Sequence, residues 1–374
     1  MITFNDYKNW VESNTLNLFT SRYLPQEHLY SLLSQHEESV KVESIGFSEG
    51  GKEIKKYVIG TGVKSILIWS QMHGNEPTGT MALVDLIKYL QESPDYLPDE
   101  ISLHIIPMLN PDGAEVFTRR NGVNIDLNRD ALKKECAESK ILFNQINKVK
   151  PHIAFNLHDQ RAVFSAGMSK QPAVISLLVP SANVERTVTH NRKIGMQLTA
   201  RLWHLIPEPF KRAVGRYTDE YYPTATGDVI QNMGINCILI ESGSWFNDPM
   251  RNTARLLNGF IFLTAIQLIN QNQFDSRFVN DYQAIPENEK LMKDVIIRNT
   301  IINGKIVDLA FSKIERFISN KFLIDFKLDD LGDLRHFNGY KEVDFKGEAI
   351  NLIKPIDFNT NYSEEDITSL FKAI

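Results

Sequence analysis

Four times along this chain an apolar run with the composition of a buried strand breaks off into a short polar cluster, and that repetition constrains the fold more than any other feature. Ser65 to Met72 ends in His73-Gly74-Asn75-Glu76, and Ile101 to Leu109 ends in Asn110-Pro111-Asp112-Gly113. His152 to Leu157 ends in His158-Asp159, and Ile235 to Ile240 ends in Glu241-Ser242-Gly243. Near-continuous apolar runs are what strands covered on both faces require, and the helical segments between them predict a largely parallel sheet. Ligands of open α/β sheets bind at the carboxyl ends of the strands. The four polar clusters are therefore expected to converge on one pocket.

The first cluster is the most informative. Gly74 lets the backbone turn after the strand, Pro77 fits the first turn of a helix, and Met81, Leu83, Val84, Ile87 and Leu90 give that helix an apolar side. His73 and Glu76 form an H-x-x-E pair that can fill two of the four tetrahedral positions of zinc. Taken alone, such a pair also serves capping or solubility, His158 is equally a structural histidine, and Glu241 an edge carboxylate. Together they put two imidazoles, two carboxylates and no cysteine at one sheet end, which suits catalytic zinc with a position left for water. Between the second and third runs, residues 117–131 (FTRRNGVNIDLNRDA) are too polar for core. Arg119, Arg120 and Arg129 with Asn121, Asn124 and Asn128 offer a cradle for a carboxylate or an oxyanion; the alternative is a solvated loop whose arginines pair with Asp126 and Asp130.

Composition narrows the partners. With 374 residues, 43% hydrophobic and 23% charged, the chain can bury one large domain and a smaller one. A formal charge of -5 without a Lys/Arg block argues against nucleic acid or an anionic membrane as partner, and a small substrate is the natural expectation. The opening MITFNDYKNWVESN lacks a basic stretch followed by an apolar core, so export is not expected. Cys136 and Cys237, the two cysteines, fit reduced thiols in a cytoplasmic protein. Residues 1–40 read as short helices packed on a main domain of residues 41–273, which opens with a hairpin around Glu49-Gly50-Gly51. From about Phe274 the chain turns strand-rich, with DVIIRNTIING, KFLIDFKL and AINLIKPIDF separated by turn residues. Residues 274–374 are expected to form a small β-rich domain without a chemical constellation, serving stability, homo-oligomer formation or access to the pocket.

The ordered set HGNEPTG, NPDG, TRRNGVNIDLNRD, a strand-end histidine and a last apolar strand ending in glutamate resembles the zinc carboxypeptidases of the peptidase M14 family over roughly residues 40–270. The resemblance implies an α/β/α sandwich around a mixed, largely parallel sheet of about eight strands. It implies one Zn2+ per chain on His73, Glu76 and His158, and Glu241 as the base that activates the metal-bound water. Arg119 resembles the residue that polarises the scissile carbonyl, with Arg120 as rival. Asn128 and Arg129 resemble the pair that binds the substrate's terminal carboxylate, and Asp126 the acid that orients the first zinc histidine. The substrate-capping tyrosine falls on Tyr222, with Tyr221 and Tyr217 as competitors. Asp228 lies where the family's side-chain pocket is, in position to favour C-terminal Lys or Arg, unless it caps a helix or pairs with Arg216.

Hydrolysis of a C-terminal peptide bond is the activity this implies. Deacylation of N-acyl amino acids is the alternative within the same chemistry, and a zinc-binding module without turnover the alternative outside it.

Overall fold

Both faces of the strands that precede the polar clusters are apolar, and in the computed structural model, which describes residues 1–35, 40–273, 278–350 and 356–372, both faces are covered. Helices α1 (Phe4–Asn14) and α2 (Gln26–Ser34) precede a hairpin of β1 (Lys41–Phe47) and β2 (Glu53–Ile59). Then come β3 (Lys64–Trp69), α3 (Thr78–Glu92), β4 (Ile101–Ile106), the short α4 (Pro111–Glu115), α5 (Ala137–Val149) and β5 (Ile153–Asp159). The two-residue β6 (Ser165–Ala166), β7 (Ile175–Leu178), α6 (His190–Leu205), β8 (Val214–Arg216), α7 (Thr226–Asn232), β9 (Asn236–Ser242) and α8 (Asn252–Asn270) follow.

Eight of these strands form one mixed sheet in the order β1-β2-β4-β3-β5-β9-β7-β8. Its centre, β4-β3-β5-β9, is parallel throughout, so the carboxyl ends of β3, β5 and β9 lie side by side. Alternation along the strands divides their side chains between two helical layers. Phe155 and Leu157 of β5 and Ile238 and Ile240 of β9 share a core with α1, α3, α6 and α8. Ala154 and Cys237 face the other way, against Leu142, Phe143 and Ile146 of α5 and Ile230 of α7. The result is the expected α/β/α sandwich.

Two strands stop short of their apolar runs. Pro107 has no N–H to continue the ladder of β4, and Gln71, with φ of 44°, turns the chain after β3. The residues beyond, Met72 and Leu109, stay buried in the loops that carry the polar clusters.

Helix α9 (Phe278–Ala284) packs with the main domain, burying Tyr282 and, just beyond, Ile285 in its core. Strand β10 (Asn288–Glu289) pairs with β6, and a second sheet begins at β11 (Met292–Ile302). With β12 (Lys305–Ile318), β13 (Lys321–Gly332), β14 (Asn338–Asp344) and β15 (Asn361–Ser363) it runs β14-β11-β12-β13-β15, backed by α10 (Glu364–Lys372). Asn303-Gly304 and Ser319-Asn320 close its two long hairpins, each with two consecutive left-handed residues whose twist matches the strands. The division expected at 273/274 adjoins residues 274–277, and the strand expected over 349–358 falls largely on 351–355; both stretches lie outside the described residues. The tip of the β12–β13 hairpin reaches the main domain: Phe317 stacks on Tyr23 at 4.0 Å and Phe322 meets Phe117 edge-on at 4.9 Å. Among the described residues no helix is long and apolar enough to cross a membrane.

Helices α3 and α8 are joined by a buried ion pair. Arg255 donates to both carboxylate oxygens of Asp85 at 2.7 Å, with the two side chains 1% and 0% exposed, and it also donates to the Thr15 carbonyl. Asp85→Ala strands a buried guanidinium and should lower the unfolding free energy by about 3–5 kcal/mol in urea titration. The joint change Asp85→Leu with Arg255→Met should recover most of that loss. A double variant as unstable as the single one would place the cost elsewhere than in the unpaired charge.

Candidate active site

The turn after β3 is shaped by one close approach: a Cβ on Gly74 would stand 2.0 Å from the carbonyl carbon of Gly113, so the loops after β3 and β4 can touch only through glycine. That contact sets His73 and Glu76 at the sheet end. His73 Nδ1 lies 2.9 Å from Glu76 Oε1, and His158 Nδ1 lies 2.8 Å from Glu76 Oε2 and 3.1 Å from His73 Nδ1. His73 Nε2 is 3.1 Å from Asp126 Oδ1. Asp126 thereby fixes the ring, and a proton held on Nε2 by that contact would leave the Nδ1 lone pair facing Glu76 and His158. Glu241 pairs in register with His158 across β5 and β9, so both side chains leave the same face of the sheet.

The donor set tests whether a metal fits. His73, Glu76 and His158 are all buried, and one ligand atom from each lies within 4.8 Å of the others. Two imidazole nitrogens and a carboxylate at this spacing can share a cation, and nitrogen with oxygen at one small centre suits zinc. Electrostatics agree. Burial opposes the charge of Glu76, yet the two imidazoles hold its carboxyl well below the usual range. Burial likewise works against a charged His73, but Glu76 and Asp126 outweigh it and raise that group, whereas in His158 burial prevails and lowers it. Burial, helped by the Glu76 charge, pushes Glu241 up to about 8. A second grouping, Glu49 with Cys136 and Glu138, is a structural knot: Glu49 accepts from the Ala137 N–H and Glu138 from the Glu49 N–H.

Arg119, Asn128, Arg129, Tyr222 and Asp228 line the same cavity as His73, Glu76, His158 and Glu241, a space of about 750 Å3. Arg119 donates to Asp126 at 3.0 Å and to Glu76 at 3.2 Å. Arg120 turns away to the Asn124 carbonyl. Asp130 caps backbone N–H groups of Glu135 and Cys136, so the ion pairing weighed for this loop exists at Asp126. Asn128 Oδ1 accepts from Thr226 N–H at the start of α7, leaving its Nδ2 to donate. The Arg129 guanidinium lies over the Tyr222 ring at 4.3 Å. Tyr222 is 50% exposed. Tyr217 also lines the cavity, its hydroxyl raised by burial and by the charges of Glu241 and Glu76; Tyr221 does not line it. Arg216 pairs with Glu287. Asp228 sits in the first turn of α7, accepts from Tyr222 N–H, and is pushed up to about 6 by burial.

Several lining residues carry no local signal in the sequence. Buried Arg22 donates to Asp159 Oδ2 at 2.8 Å and also pairs with Glu315 of β12. Thr78 donates to the same Asp159 oxygen at 2.7 Å, and the Asp159 N–H donates to Glu76 Oε2 at 3.2 Å. Asp294, Ser312, Lys313 and Glu315 of the second sheet line the cavity too, so of the roles expected for the last hundred residues, access to the pocket is the one this placement bears on. Chain-distant partners of this kind leave no spacing to read.

Fold and site together define an α/β protein with three candidate metal ligands at the carboxyl end of its sheet. Residues 26–165 match the model of the zinc carboxypeptidase family, peptidase M14. Carboxypeptidase 2 of Trichophyton rubrum is 31% identical over 114 residues, covering 29% of this chain and 20% of that protein. Carboxypeptidase M of Mus musculus is 32% identical over 135 residues, covering 29% and 30%. The chain thus spans about a fifth to a third of the length of these relatives. A metallo-carboxypeptidase from Burkholderia cenocepacia shares the fold with a TM-score of 0.55 at 16% identity, covering 67% of this chain and 71% of that one. The family match includes His73, Glu76, Arg119, Asp126, Asn128, Arg129 and His158; Glu241, Tyr222 and Asp228 lie beyond it.

If Asp126 orients His73, Asp126→Asn should keep the fold and weaken zinc affinity by about 10–100-fold. His73→Ala or His158→Ala should abolish stoichiometric binding. Competition against a chromophoric chelator reads both effects, and unchanged affinity in Asp126→Asn would remove the carboxylate from the metal site.

Proposed function

We propose that this protein is a metallocarboxypeptidase that binds one zinc per chain and hydrolyses the C-terminal peptide bond of a peptide. The observation that carries the reading is that one cavity joins His73, Glu76 and His158 to Glu241 on one side and to the guanidinium groups of Arg119 and Arg129 on the other. Zinc held by the three ligands would supply a Lewis acid and a water of lowered pKa. Every other part of the chemistry falls to side chains of the chain itself. Glu241, with its carboxyl raised to about 8 by burial, has a proton affinity near neutrality. Such a group can take a proton from the nucleophile and return it to the departing amine. Arg119, its side chain 43% exposed and anchored by Asp126, offers guanidinium donors to the carbonyl oxygen as charge develops there. Arg129 and Asn128 would grip the free carboxylate of the substrate, Arg129 with two parallel bonds. Tyr222, against Arg129, would close over that end. The buried carboxyl of Asp228 supports a preference for C-terminal Lys or Arg, whose cation would restore its charge. Both cysteines are free and buried, which suits the cytoplasm as compartment.

Free and amidated forms of one peptide separate this reading from others. Amidation removes the gripped charge and leaves the scissile bond unchanged, so kcat/KM should fall by the equivalent of about 2–5 kcal/mol. Arg129→Ala should erase most of the difference. Equal rates for the two ends in the unmodified protein would sink the carboxypeptidase reading, whereas a free-end preference indifferent to Lys against Leu would sink only the role of Asp228.

Glu241→Gln should retain zinc and thermal stability while losing about 100-fold or more of the turnover, because the amide keeps the shape and cannot take the proton. Near-normal turnover by that variant moves the base elsewhere.

A further inference from the structure

The carboxylate clamp fixes one end of the substrate, and the sheet dictates where the other end must go. His158 and Asp159 are neighbours on β5, so their side chains leave opposite faces. His158 shares the face of Ala154, covered by α5 and α7, and Asn128 meets Thr226 at the start of α7 on that same side. Asp159 shares the face of Phe155 and Leu157, covered by α3 and α8; it bonds Thr78 at the start of α3 and lies 3.9 Å from Arg251 at the start of α8. The clamp and the Asp159 cluster thus flank the metal ligands from opposite sides.

On the Asp159 side the cavity is lined by the second sheet, through Asp294, Ser312, Lys313 and Glu315. This boundary is held in place. Glu315 pairs with Arg22, which is 3% exposed and also pairs with Asp159. Lys313 Nζ donates to Glu315 at 2.9 Å while its N–H donates to Asp294 at 2.8 Å. At the hairpin tip, Phe322 meets Phe117, two residues before Arg119. A volume of about 750 Å3 falls within the roughly 300–1,000 Å3 of small-molecule pockets.

Building on the carboxypeptidase reading, we propose that the second sheet is the acyl-side wall of the active site. The protein therefore acts on substrates with one or two residues, or a small acyl group, before the scissile bond, and rejects polypeptides. An extended residue advances the chain by about 3.3–3.6 Å, so each added residue meets that wall directly.

The test uses the full chain loaded with zinc and a ligand series ending in one common residue: the N-acetyl amino acid, the dipeptide, the tripeptide, a hexapeptide and an octapeptide, each with a free and an amidated end. kcat/KM is measured by chromatography, and Kd by calorimetry on the Glu241→Gln protein, so that binding is read without turnover. From dipeptide to octapeptide both measures should worsen by at least about 10-fold. Lys313→Ala and, separately, Phe322→Ala should narrow that gap; the length series in the unmodified protein decides if either variant fails to fold. Activity and affinity that stay level or rise with length overturn the wall. A length effect that persists while free and amidated ends are treated alike keeps the wall and overturns the carboxypeptidase reading. Neither binding nor turnover at any length overturns both.

Discussion

Two imidazole nitrogens 3.1 Å apart, each within 2.9 Å of one carboxylate, can be held together by a shared proton or by a shared cation. The surroundings of Glu76 are built around that contact. Its two oxygens also receive the Arg119 guanidinium and the Asp159 N–H, so the carboxylate is oriented from four directions at once. Asp126 binds the far nitrogen of His73 and the Nε of Arg119 together. One carboxylate thus fixes both the His73 ring and the Arg119 guanidinium.

Strand alternation then decides which chemistry falls where. The register of β5 with β9 puts His158 opposite Glu241 and Asp159 opposite Ser242. A slip of one residue would exchange the two faces, sending the ligand toward α3 and α8 and the acid toward α5 and α7. The apolar residues immediately before them, packed in both layers, forbid that slip, so the two large cores hold the register of His158 with Glu241. Stability and function meet in the same few residues of β5 and β9.

This also explains what the sequence could disclose. The parallel sheet, the H-x-x-E turn and the strand-end His158 and Glu241 rest on short-range pattern, because apolar periodicity and a polar break are local properties. The choice between Arg119 and Arg120 is legible only in the fold, since two adjacent guanidinium groups in one loop differ in nothing but the direction the backbone gives them. The same holds for the tyrosines of residues 217–222, where two side chains line the cavity. Least legible were Arg22 and Glu315, which are 293 residues apart and meet through domain packing alone. Strand ends were overrun where Pro107 and the left-handed Gln71 interrupt an apolar run whose buried residues continue into the loops.

The path from Glu315 through Arg22 to Asp159 has a consequence for how the two sheets hold together. Arg22 is buried at 3% exposure, and a guanidinium so placed is tolerated only while its acidic partners remain. One partner comes from β12, the other from the residue that follows a metal ligand. Separating the sheets would leave Arg22 with Asp159 alone and leave Glu315 without Arg22. Losing one partner of a buried pair costs about 3–5 kcal/mol, a large fraction of a domain's stability. The aromatic contacts of Phe317 and Phe322 on Tyr23 and Phe117 would be lost in the same step. Because Asp159 also donates its N–H to Glu76, the candidate metal site, the N-terminal segment and the second sheet share one buried network. A disturbance of the second sheet therefore reaches the metal ligands through hydrogen bonds as well as through the shape of the pocket.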